Sequence, residues 1–166
     1  MKFRLLVLLA FLAIPTLVFA QKNKYIGYRY VGVSYNQTLP NGVKDLGGSL
    51  LEDDNYAVSR MKKGKTEMLW LARITSRNAK GIPKWQVKYV LNLPALKKNQ
   101  EILRGFTFPC KINDEEDLNL IVLADYLPKS KTYKVRKAWR ANTRANRIQA
   151  VSIKGISCEI EEPESY

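Results

Sequence analysis

The chain has 166 residues, with 28 Lys and Arg against 15 Asp and Glu, two cysteines and no histidine, for a net charge of +13. The missing histidine excludes Ser-His-Asp and Cys-His catalysis, histidine metal sites and histidine pH switching together. Carboxylate pairs, Ser-Lys arrangements, tyrosine and binding through charge remain open.

Lys2 and Arg4 precede an apolar run from Leu5 to Ala20, interrupted at Pro15 and followed by polar Gln21, Lys22 and Asn23. Val18-Phe19-Ala20 places small or modest residues where a signal peptidase reads them, so 1–20 is expected to be a cleaved secretory signal. The run falls short of the roughly 20 apolar residues that span a bilayer, and no cysteine follows it for lipoprotein processing. Without 1–20 the chain keeps about 146 residues and a net charge of +11, since Lys2 and Arg4 leave and no acid does. That size suits one domain with a real core, and no second apolar stretch is long enough to form a transmembrane segment.

Along the mature chain, short strands alternate with turn signals. Tyr25 to Tyr35 is rich in Tyr and Val, with Gly27 and Gly32 as points of bulge or close approach; Leu39-Pro40-Asn41-Gly42 is a turn. Tyr56 to Met61 and Thr66 to Thr75 flank Lys62-Lys63-Gly64-Lys65 as a hairpin. Met68 to Ala72 is nearly all apolar, as in a central strand covered on both faces. After a turn over Ser76 to Pro83, Trp85, Val87, Tyr89 and Leu91 are expected on one face, and Lys84, Gln86 and Lys88 on the other. Pro94 to Leu103 is the one place for a short helix, with Pro94 in its first turn. An acidic loop after Cys110 leads to a buried strand over Leu118 to Tyr126. Leu127-Pro128-Lys129-Ser130 turns into a strand over Lys131 to Asn142, and Arg147 to Ile153 completes the set. These spacings predict a mainly β, single-domain antiparallel β-sandwich or barrel over 21–158, with at most one short helix. Residues 159–166 read as an acidic C-terminal tail.

Cys110 and Cys158 read as a disulfide, because an even cysteine count in an exported chain is oxidised. It closes a loop of about 50 residues, worth roughly 4 kcal/mol in the chain-entropy model. Two buried free thiols are the alternative; a metal site from two cysteines without histidine is weaker still. Glu52-Asp53-Asp54 and Asp114-Glu115-Glu116-Asp117 lack the spacing of a dedicated calcium loop and read as solvated loops, with a glycosidase-like carboxylate pair as the remote alternative. Tyr25, Tyr28, Tyr30 and Tyr35 read as core packing rather than the lining of a ligand cavity. No cofactor or metal is implied.

The basic stretch carries the functional expectation. Lys129, Lys131, Lys134, Arg136, Lys137, Arg140, Arg144 and Arg147 occur with no acid among them. In an extended strand Lys134, Arg136 and Arg140 share one face, with Tyr133, Val135 and Trp139 on the other. Together with Arg144 and Arg147 of the following loop they form a candidate binding surface for an anionic envelope polymer, an acidic protein or an anionic lipid surface. Nucleic acid is disfavoured, because the aromatics alternate away from the cations instead of sharing their face. The bland reading is a charge row that protects a sheet edge, partly neutralised by Glu159, Glu161 and Glu162 of the tail.

Met68-Leu69-Trp70-Leu71, the run from Ser76 to Val87 (SRNAKGIPKWQV), Lys137-Ala138-Trp139-Arg140-Ala141-Asn142 and Gly155-Ile156-Ser157-Cys158 resemble segments of a group of small exported cyanobacterial proteins. The resemblance covers most of the mature chain. It implies export and pairing of Cys110 with Cys158, and it carries no catalytic residue across. The expected function is therefore an exported, periplasmic or secreted, non-enzymatic β domain that binds an anionic partner through its basic surface. The alternatives are an inhibitor of a cell-wall hydrolase, acting through the loop Thr143 to Arg147, and a carboxylate-based hydrolase.

Overall fold

A computed structural model describes residues 23–31, 39–104 and 110–158. The expected signal segment, Gly32, Tyr35 and the acidic tail lie outside these residues. The described strands are β1 (Arg29–Val31), β2 (Val43–Leu50), β3 (Tyr56–Lys63), β4 (Thr66–Arg77), β5 (Pro83–Asn92), β6 (Gln100–Arg104), β7 (Cys110–Ile112), β8 (Glu115–Glu116), β9 (Leu120–Leu127), β10 (Thr132–Asn142), β11 (Arg147–Val151) and β12 (Ile156–Cys158). Among the described residues there is no helix, and none is long and apolar enough to cross a membrane.

The strands pair antiparallel in three sheets, ordered β1-β5-β4-β3-β2, β11-β10-β9-β6 and β12-β7-β8. The first curls into a half-barrel whose inner face buries Tyr25, Tyr30, Met61, Met68, Trp70, Trp85 and Val87. Its outer face gives Val58, Leu69 and Leu71 to a second core, closed from the four-stranded sheet by Ile102, Ile121, Leu123 and Trp139. The far face of the four-stranded sheet gives Leu103, Leu120, Val122 and Ala138 to a third core beneath Cys110 and Cys158. Central strands β4 and β9 thus lie between two cores, which is why Met68 to Ala72 is apolar at every position and fully enclosed.

Local sequence chemistry sets the hairpins. Lys63 pairs Thr66, leaving Gly64 and Lys65 as a two-residue loop, and Gly64 has φ +58° at its first position, where glycine meets no Cβ penalty. Ile112 pairs Glu115, and the intervening Asn113 and Asp114 both have positive φ, 53° and 68°, the mirror-type turn that Asn and Asp tolerate best. The acidic stretch is thereby folded into a hairpin rather than an open loop. Val43 N–H donates to Pro40 O at 2.9 Å, closing the turn expected over 39–42.

Cys110 and Cys158 are bonded and lie opposite one another in register, with Cα atoms 4.2 Å apart. The bridge joins two short strands that isolated pairing would leave marginal. Three tyrosines ring Trp70, at centroid distances of 5.1 Å (Tyr25), 6.3 Å (Tyr28) and 5.8 Å (Tyr30). The described members of the tyrosine set are therefore packing residues, though Tyr30 also borders a 220 Å³ pocket with Asp45, Ser59 and Trp85. Burial pushes the Tyr30 hydroxyl up to about 12, with Asp45 adding to the rise and the Ser59 hydrogen bond opposing it.

Three expectations are corrected. The segment set aside for a short helix holds none: 98–99 form a turn closed by Gln100 N–H donating to Lys97 O at 3.0 Å, and β6 follows, its adjacent Ile102 and Leu103 serving opposite cores, an alternation only a strand delivers. The strand expected over Tyr25 to Tyr35 is confined, among the described residues, to Arg29–Val31, with 24–27 in turns. Trp85, Val87, Tyr89 and Leu91 do not share a face. Val87 pairs Ala72 and Tyr89 pairs Leu71, so Lys88 is an extra residue; beyond this bulge the parity reverses, sending Tyr89 and Leu91 to the inter-sheet core while Trp85 and Val87 stay inside the half-barrel.

Candidate functional site

The same device divides the basic strand. Lys134 pairs Asp125, Val135 pairs Ala124, and Lys137 pairs Leu123, so Arg136 is the extra residue of a bulge. Before it, Tyr133 and Val135 face the disulfide core; after it Ala138 does, while Trp139 and Ala141 turn to the inter-sheet core. The common face expected for Lys134, Arg136 and Arg140 does not form. Arg140 emerges on the side of Ala138, opposite Lys134, because the bulge flips the alternation.

At the N-terminal end of β10 the cation is engaged in the sheet. Arg136 donates through Nε at 2.7 Å, and through Nη2, to Asp125 Oδ2. Gln100 donates to the other carboxylate oxygen at 2.9 Å. Asp125 is buried, and the Arg136 guanidinium, followed by the Gln100 hydrogen bond, holds its carboxyl below the usual carboxylate range. Lys134 and Lys137 are exposed beside this pair.

The C-terminal end is built differently. Arg140 lies opposite Gln149, and Asn142 opposite Arg147. Positions two apart on one strand and directly opposite on the next project from the same face, so two guanidiniums and two amides occupy alternate corners of one patch. The loop 143–146 that joins the strands is pinned by Ala145 N–H donating to Asn142 Oδ1 at 2.9 Å and by Tyr56 OH donating to Asn146 Oδ1 at 2.9 Å. Exposed Arg144 sits on this loop. Arg140, Asn142, Thr143, Arg144, Gln149 and Asn119 line an open groove of 580 Å³.

Two acids border it. Asp117 Oδ2 accepts from Arg140 Nε at 2.7 Å and Nη2 at 2.5 Å, and its other oxygen accepts the Asn119 N–H at 3.0 Å. Glu52 Oε2 accepts from Asn119 Nδ2 at 2.9 Å. Both carboxylates thus serve as structural acceptors. Among the described residues no three Cys, Asp or Glu side chains converge on a point where a metal ion could sit.

Gln149 stands between two donors. In one orientation its carbonyl oxygen accepts from Asn142 Nδ2 at 3.0 Å. Turned over, the same oxygen accepts from Arg147 Nε at 3.0 Å and Nη2 at 2.6 Å, and its nitrogen then faces Asn142 Nδ2.

Of the five cations expected to act together, the structure brings Arg140, Arg144 and Arg147 to one end of the β10–β11 hairpin and leaves Lys134 and Arg136 on the other side of the bulge. Asn142, Gln149 and Asp117 complete the site and were not anticipated. A hairpin register centred on 143–146 was the signal that would have found the two amides. The chain matches no family model, no curated protein and no solved structure.

Proposed function

We propose that this is an exported, non-enzymatic β domain, periplasmic or secreted, that binds an anionic envelope component or an acidic protein through the groove at the end of the β10–β11 hairpin. The observation that carries the reading is the placement of Arg140 and Arg144 in the lining of one open groove, with Arg147 directly opposite its lining residue Asn142. Guanidiniums suit this role because their fixed fork matches carboxylate and phosphate geometry. Export is supported by the N-terminal pattern of charge, apolar run and small residues, by the Cys110–Cys158 bond, which belongs to oxidising compartments, and by the resemblance to small exported cyanobacterial proteins.

Retention of the purified protein on a carboxylated matrix tests it. Replacing Arg140, Arg144 and Arg147 by Gln is expected to weaken binding roughly tenfold, at about 0.5 kcal/mol per exposed contact, and retention of the unaltered protein should fall steeply with salt. Unchanged retention of the triple variant would remove the groove from the function.

A further inference from the structure

The half-barrel carries a second concavity, opposite in charge to the groove. β1 and β2 are the two edges of the five-stranded sheet, yet Tyr30 of β1 and Asp45 of β2 line one 220 Å³ pocket. The curl brings the edges face to face without pairing them, so the pocket is the open seam of the half-barrel. Barrel mouths are among the places where proteins bind small ligands. Three other grooves among the described residues are lined by cations: Arg140 and Arg144, Lys62 and Lys65, and Arg29 and Lys84. The seam has one acid and no base among its described lining residues.

That acid is free to meet a ligand. Asp45 enters no ion pair among the described residues. One of its oxygens accepts the Gly47 N–H at 2.7 Å, and no described hydrogen bond uses the other. Arg104 reaches the same bulge, donating to Gly47 O at 2.7 Å, but does not line the pocket. Burial does most to push the Tyr30 hydroxyl up to about 12; the Asp45 charge adds to the rise and a Ser59 hydrogen bond opposes it. The oxygens of Tyr30, Ser59 and Asp45 are therefore neighbours. Gly48 pairs Ser59, and a Cβ there would meet Ser59 Oγ at 2.7 Å, so glycine keeps that hydroxyl open to the seam. Around these oxygens the wall is apolar, formed by Trp85, Ala57 and the exposed Leu50.

An alkylammonium group matches this set. Its three N–H donors suit the Asp45 carboxylate and the Ser59 and Tyr30 hydroxyls, with charge assistance at the carboxylate, and its carbon body suits Trp85 and Leu50. A calcium ion would need six or more oxygens, which one carboxylate and two hydroxyls do not supply. Salt screens the net positive charge of the chain over about 8 Å at physiological ionic strength, which leaves Asp45 as the charge that decides in the seam. We infer that the seam between β1 and β2 is a binding site for a small primary amine, its ammonium group held by Asp45, Ser59 and Tyr30. The site lies apart from the anion-binding groove, and neither depends on the other.

Isopentylamine and its neutral counterpart 3-methylbutan-1-ol test it, each titrated into the purified protein at pH 7 in physiological salt and followed by calorimetry and amide NMR. The amine should bind about tenfold tighter than the alcohol or more, with shifts centred on Gly48 and Ser59. Asp45→Asn keeps an acceptor for the Gly47 N–H while removing the charge. It should weaken amine binding about tenfold and leave the alcohol within about twofold. Asp54→Asn makes the same change of charge in an exposed turn and should alter amine affinity by less than about twofold. Joint replacement of Arg140, Arg144 and Arg147 by Gln should also leave amine affinity within about twofold, whatever it does to anion binding.

The alcohol binding as tightly as the amine would overturn the ammonium seat, and so would an Asp45→Asn variant that loses no affinity or loses no more than Asp54→Asn. Shifts centred away from β1, β2 and β3, or no heat and no shifts up to about 20 mM amine, would overturn the site itself. The comparison of amine with alcohol and the map of shifts are both made on the unaltered protein, so they decide the matter even if Asp45→Asn does not fold.

Discussion

The two ends of β10 carry similar charge and do opposite things with it. At the N-terminal end the Arg136 guanidinium and the Gln100 amide meet the Asp125 carboxylate, and that demand is closed within the sheet. At the C-terminal end Arg140 is held in the same way by Asp117, but Arg144 and Arg147 beside it are exposed on the hairpin. The contrast teaches that a count of cations does not locate a binding site. What locates it is the balance of donors against acceptors once the strands are in register, because a satisfied ion pair has little left to offer a ligand.

The largest expected effect falls on the layer that backs the open end. Cys110 and Cys158 tie β7 to β12 on the same side of the four-stranded sheet from which Arg140 and Gln149 project. Replacing both by Ala removes a cross-link spanning 48 positions of sequence, which the chain-entropy model values at about 4 kcal/mol. Urea unfolding should show a midpoint lowered accordingly, and reductant should have no further effect on the variant. A loss under about 1 kcal/mol would mean that the third core holds these strands without the bond.

The closed end should respond next, and in a way that depends on pH. Arg136→Ala leaves the Asp125 carboxylate with Gln100 alone, so it should lower the denaturant midpoint while leaving polyanion retention unchanged, the reverse of what Arg147→Gln should do. The Asp125 carboxyl sits below its ordinary range in the folded protein. Its contribution is therefore complete above the unfolded value near 4 and lost as pH falls through the lower folded value. Asp125→Asn should flatten the acid limb of the stability profile. Some slope should remain from Glu67, where burial raises the pKa but the Arg60 and Lys62 contacts outweigh it and bring the net value down. An acid limb identical in Asp125→Asn and the unaltered protein would show that the closed end contributes nothing.

The sheet architecture was legible because turn residues and short apolar runs announce strands, as at Gly64 and Met68 to Ala72. The faces were less so, and the errors share one cause. Lys88 and Arg136 are single extra residues whose insertion reverses every side chain beyond them. In β5 the alternation of Trp85, Val87, Tyr89 and Leu91 looks unbroken only because β5 supplies apolar residues to two cores. Where both faces are covered, apolar alternation no longer distinguishes one from the other. Val90, apolar between Tyr89 and Leu91, was the trace of this in the sequence. The pairing of Arg140 with Gln149 needed the register of a hairpin, and the Arg140–Asp117 contact needed atomic positions; composition shows neither.

The smallest expected effect is the most discriminating between the two ends. Lys134 and Lys137 are exposed and project from the face of β10 opposite Arg140, Lys134 before the bulge and Lys137 after it. If binding arose from overall charge, replacing both by Gln would cost as much per cation as replacing the groove arginines. If it arises from the open end, the two lysines act only through the long-range field, which salt screens over about 8 Å at physiological ionic strength. The double variant should then bind a carboxylated polymer within about twofold of the unaltered protein in physiological salt, drifting further only at low salt, with stability changed by less than about 0.5 kcal/mol. A loss in physiological salt equal to that of the Arg140, Arg144 and Arg147 variant would erase the difference between the ends, and binding would belong to the whole basic surface.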